Sequence, residues 1–102
     1  MNTLNTFLPS LRNKVFKLLP MREAYDRGEL NHLDEYLENL YSNFSGAFEC
    51  YQELSSMREI IEAYNNVAFL MNHQDIEFPK WRSIVLRSTR LVQAVFTKHE
   101  EV

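Results

Sequence analysis

Residues 30–54 read LNHLDEYLENLYSNFSGAFECYQEL. Apolar side chains fall at Leu30, Leu33, Leu37, Leu40, Phe44, Ala47, Tyr51 and Leu54, at steps that alternate three and four without a skip. An α-helix turns once in about 3.6 residues, so the alternation lines all eight up on one stripe. The stretch reads as one long helix, about 37 Å from end to end if it runs unbroken to Leu54. Gly46 is its weak point, because glycine costs about 1 kcal/mol against alanine in a helix interior. The heptad crosses Gly46 in register, which favours a continuous helix over a break at Ser45–Gly46. The helix is expected to start between Gly28 and Asn31. Asn31 would be the N-cap, and Asp34 would meet the positive end of the helix dipole.

Outward from this stretch the punctuation is helical too. Residues 1–8 read as a short lead-in, and Pro9 suits a first helical position, where its missing N–H is an orphan anyway. Leu11, Val15, Leu18 and Leu19 then share a face. Pro20 either kinks that helix or starts a second short one through Arg27, and Gly28 is the natural stop. Beyond the long stretch, Ser56 and Glu59 fit a capping box. Met57, Ile61, Tyr64, Ala68 and Met71 carry a further stripe to about Asn72. A loop over residues 73–78 follows, with Pro79 opening the last helix, from Lys80 to about His99. Trp81, Ile84, Val85, Leu91, Val92, Val95 and Phe96 form the apolar arc of that helix, with Ser88 inside it. Such a serine bonds back to its own helix or marks a tight crossing.

These elements predict an all-α fold, a small antiparallel bundle of four to five helices with one long central helix. The 102 residues make one domain, 1–102, with a frayed tail at 100–102. Hydrophobic content of 45% with 25% charged residues fits a folded globular chain and not a disordered tail. The N-terminus lacks the charged-then-apolar order of a secretory signal, and Cys50 is the single cysteine, so a cytoplasmic location is expected.

The net charge of −3 is unevenly spread. Arg12, Lys14 and Lys17 stand alone in the first twenty residues. Residues 21–77 hold twelve acids against Arg22, Arg27 and Arg58. Lys80, Arg82, Arg87, Arg90 and Lys98 then outnumber Glu100 and Glu101. An acidic middle can attract basic ends within one chain or between two.

Chemistry has few footholds. Glu29 and His32 form one Glu-x-x-His, followed by Glu35 and Glu38, but a di-metal bundle needs the motif twice and pointing inward. With Leu30 at heptad position a, His32, Glu35 and Glu38 fall on the solvent side. Cys50 could act as a nucleophile only beside one of His32, His73 or His99, and no local signature accompanies it. Two isolated glycines make no phosphate loop. No catalytic residue, cofactor or metal is therefore predicted, and the chain does not read as an enzyme.

Binding is the better expectation. Lys80, Arg87, Arg90 and Lys98 give the last helix a candidate basic face, with Trp81 able to stack on a base. Overall acidity disfavours nucleic acid as a partner, although the acidic helices could also mimic DNA. Seven Phe, five Tyr and one Trp are many for one small core. Tyrosine and tryptophan suit sites that are apolar at one end and wet at the other. Phe16 and Tyr25 also sit beside main stripes. A homodimer through the long helix is expected, with Tyr36, Leu37, Leu40, Tyr41, Phe44, Phe48 and Tyr51 as its candidate interface. The predicted role is a regulatory, adaptor or immunity-type accessory protein that binds itself and a further protein, away from membranes.

Overall fold

A computed structural model describes residues 4–50 and 58–100, with side-chain surroundings over 7–46 and 58–97. Five helices occupy the described residues. They are α1 (Leu4–Phe16), α2 (Leu18–Asp26), α3 (Leu33–Cys50), α4 (Arg58–Asn72) and α5 (Phe78–Glu100). α5 packs along α1 on one side and α4 on the other, and α3 packs against α4 and α1. Among the described residues α3 and α5 make no close backbone approach, so they lie on one diagonal of a four-helix ring, with α2 packed beside it. Arg12 bonds Gln93 while Leu18 meets Trp81, and Glu62 pairs with Arg87 while Lys80 reaches Phe69. α5 is therefore antiparallel to both α1 and α4. The extents of 43 × 22 × 20 Å fit two helices by two, each about 10 Å across.

Each helix gives the ring one stripe. α1 and α2 bury Leu8, Leu11, Val15 and Leu18, and α3 buries Leu33, Leu37, Leu40 and Phe44. α4 contributes Ile60, Ala63, Val67 and Leu70, and α5 contributes Trp81, Val85, Val92 and Val95. Ser88 takes both expected roles. It donates to the Ile84 carbonyl at 2.8 Å and accepts from Asn66 of α4 at 3.0 Å, so the crossing carries no unpaired hydroxyl.

Three expectations need correction. α3 begins at Leu33, and Leu30 lies half-buried in the loop before it. The reason is the stop of α2. Gly28 at φ 77 lets its N–H bond the Tyr25 carbonyl while Glu29 bonds that of Ala24, and the next residues turn the chain. The first α3 bond runs from the Tyr36 N–H to His32, so His32 and not Asn31 is the cap residue. Second, Pro9 lies inside α1, because Leu8 is fully buried and Phe7 packs on the core, drawing the lead-in into the helix. That helix forgoes the bond Pro9 would have donated to Asn5. Third, the α4 stripe is turned by one residue. Ile60, Ala63, Val67 and Leu70 face inward, Tyr64 and Met71 flank them, and Ile61 is 39% exposed. Doubled apolar positions at 60/61, 67/68 and 70/71 give two overlapping stripes of equal spacing. α5, with 23 residues, and α3, with 18, are the two longest helices among the described residues.

Lys17 separates α1 from α2, and Pro20 sits in the first turn of α2, where its missing N–H costs least. α3 passes Gly46 unbroken to Cys50. Its continuation to Leu54 and the Ser56 cap lie outside the described residues.

The two glycines are expected to respond oppositely to alanine. At Gly46 a Cβ meets nothing within 4 Å, so Gly46→Ala gains about 1 kcal/mol from helix propensity. Gly28→Ala loses about 1 kcal/mol or more to the left-handed backbone. Urea unfolding of both variants reads the two signs.

Candidate interaction surface

Among the described residues, the members of the expected interface do not assemble as one patch. Leu37, Leu40 and Phe44 are spent in the core of this same chain, because α3 turns its stripe toward α1 and α4. Tyr36 and Tyr41 are half-buried on opposite flanks of that stripe. The Tyr36 hydroxyl donates to the Lys14 carbonyl at 2.5 Å, which satisfies a carbonyl near the end of α1, and burial pushes its pKa up. Tyr41 instead stacks on Tyr64 of α4, with centroids 4.8 Å apart and planes at 26°. The Tyr64 hydroxyl donates to that of Tyr41 at 2.7 Å and lies 3.5 Å from the Ser45 hydroxyl. The side chains of Phe48, Tyr51 and Cys50 lie outside the described residues, so the cysteine–histidine pairing does as well. Phe16, Tyr25 and Ile61 are the exposed large hydrophobics among the described residues, on three different helices.

The basic face is partly engaged. Arg87 pairs with Glu62, and the Lys80 ammonium stands 5.8 Å from the Phe69 ring. Arg90 is exposed, while Lys98 lies beyond the described side chains. Trp81 is fully buried and donates from Nε1 to the Leu18 carbonyl at 3.2 Å, so it has no face to offer a base. Arg87 holds the Glu62 carboxyl below its ordinary range, chiefly by its hydrogen bond. A carboxylate with a lowered folded pKa adds stability above its unfolded value and loses it as pH falls through the folded one. Arg87→Gln is expected to return Glu62 toward 4.5 in an NMR titration, and the share of the acid-side loss of stability that Glu62 carries then disappears.

Arg22 is the residue that sequence reasoning passed over. It is 7% exposed on α2. Its Nε reaches both Asp26 oxygens at 2.9 and 3.1 Å, and Nη2 donates to the Ile76 carbonyl at 2.6 Å. The guanidinium stands 5.0 Å over the Trp81 ring. One side chain thus ties α2 to the α4–α5 loop and to α5, using the planar fork that lysine lacks. The Arg22–Asp26 spacing of four is visible in sequence, but its burial is not.

His32, Glu35 and Glu38 are exposed, as the heptad positions imply, with His32 Nδ1 3.7 Å from Glu35. Among the described residues no three His, Cys, Asp or Glu side chains gather to hold a metal ion. No described helix is long and apolar enough to cross a membrane.

Folding places the two chemically alike ends of the chain side by side. Exposed Lys14 lies on α1 and exposed Lys17 at the α1–α2 junction, and exposed Lys80, Arg82 and Arg90 belong to α5, the neighbour of α1. Exposed Asp34, Glu35 and Glu38 lie on α3, across the ring from α5. The pairs Arg22–Asp26, Arg27–Glu29 and His32–Glu35 are local, whereas Arg87–Glu62 joins α5 to α4. The molecule is thus an all-helical bundle in which the exposed carboxylates of α3 and the exposed cations of α5 sit on opposite helices of the ring. Set against known proteins, the chain matches no family model, no curated protein and no solved structure.

Proposed function

We propose that this chain is a protein-interaction module, regulatory, adaptor or immunity-type in role, whose contacts are directed by charge and which associates with a second copy of itself. One observation carries the reading: the exposed carboxylates of α3 and the exposed cations of α5 lie across the ring from each other. Charges held apart within one chain are available to a complementary surface on another, where they speed encounter and select partners. The apolar stripe of α3 is not the contact in this reading, since Leu37, Leu40 and Phe44 serve the chain's own core.

Light scattering at micromolar concentration tests it. The expected mass at low salt is about 24 kDa, twice the 12.2 kDa of one chain. It should fall toward one chain as salt shortens the Debye length to roughly 3 Å at 1 M. Glu35→Lys combined with Glu38→Lys should lower the low-salt mass as well. A single-chain mass at low salt ends the self-association reading.

A further inference from the structure

We propose that Tyr41 and Tyr64 form an oxidative modification site, at which a one-electron oxidant closes an intrachain dityrosine across the α3–α4 seam. Three observations place the reacting atoms together. The rings are stacked at 4.8 Å and 26°, with little splay between them. Their hydroxyls are bonded at 2.7 Å, so the hydroxyl-bearing ends, which carry the reactive ortho carbons, converge. Both residues are only half-buried, so oxidant can reach the pair and water can take up its protons. Phe44 lies beside Tyr64 at 6.1 Å between centroids and supports the stack from the core side. Two rings already held in contact need no diffusive encounter, which favours coupling with each other over coupling between chains.

The chemistry balances with a peroxidase and hydrogen peroxide as the oxidant. Each phenol gives up one electron and one proton to become a phenoxyl radical. The two radicals join through their ortho carbons, and the ortho hydrogens move to the oxygens as both rings regain aromaticity. The chain loses two hydrogen atoms, and one peroxide becomes two waters. The product pins α3 to α4 and closes the segment between them into a covalent loop, which restricts the unfolded chain.

Peroxidase treatment of the full chain, followed by cleavage after Arg and Lys, tests the site. Tyr64 is the sole tyrosine of peptide 59–80, and Tyr36, Tyr41 and Tyr51 share peptide 28–58. The expected product has the single-chain mass less two hydrogens, shows dityrosine fluorescence, and joins these two peptides. Tyr41→Phe keeps the ring and should abolish the link, whereas Tyr36→Phe and Tyr51→Phe should leave it. The oxidised chain should also melt at a higher temperature. No dityrosine, a link that survives Tyr41→Phe, or links only between chains would overturn the proposal. None of these outcomes depends on whether the protein binds a partner.

Discussion

Leu37→Asp should leave the chain unfolded at 25 °C, not split a dimer into folded monomers. Leu37 has no exposed surface and lies in the middle of the α3 stripe, between Leu33 and Leu40. Removing a buried leucine costs about 2–5 kcal/mol through lost transfer energy and cavity. Placing a carboxylate there adds several kcal/mol of desolvation, or forces it to bind a proton far above its ordinary range. A domain of this size has only about 5–15 kcal/mol of stability to lose. Circular dichroism should show loss of helix, with light scattering reading an expanded or aggregated chain. A helical variant of half the mass would instead put Leu37 at a subunit boundary and contradict the core described above.

Trp81→Ala should be the most damaging truncation in α5. The indole is the largest fully buried side chain, and such deletions cost about 3–5 kcal/mol. The Leu18 carbonyl loses its donor, a loss of about 1 kcal/mol. Arg22 loses the ring beneath it and stays buried with only Asp26 and Ile76 to hold it. Together these should lower the melting temperature by about 15–30 °C in a domain of this size. Trp81→Phe keeps most of the volume but not the N–H, so it should cost only about 1–2 kcal/mol. If Trp81→Ala melted within about 5 °C of the parent, the indole would not be the anchor of the α1–α2–α5 corner.

Much of this is legible in the sequence. The Leu33, Leu37, Leu40 and Phe44 stripe, the Gly28 stop, the passage through Gly46 and the inward Ser88 all follow from spacing and local backbone preference. Helix periodicity is a short-range property, and each of these features depends on residues within one or two turns. It also turned His32, Glu35 and Glu38 outward correctly. It failed where two short-range answers were equally good. In α4 the doubled apolar positions allowed two stripes, and contact with both α3 and α5 selected Ile60, Ala63, Val67 and Leu70. At Pro9 the helix boundary looked clear, but burying Leu8 outweighed the bond that proline cannot make.

The candidate surface was less legible, because surfaces depend on what covers them. Tyr36 and Tyr41 look alike as flanks of one stripe, yet one caps a carbonyl of α1 and the other stacks on α4. Spacing put Trp81 in the apolar arc of α5, but nothing in the spacing reveals that Arg22 is buried beside it at the α2–α5 corner. By itself, then, the sequence determined that this chain is helical, where most helices stop, and which residues of α1, α3 and α5 are apolar faces. Only the tertiary structure decided which helices are neighbours. Closing the ring set the basic ends of the chain side by side and put α3 across from α5, because α1 and α4 each pack against both of them.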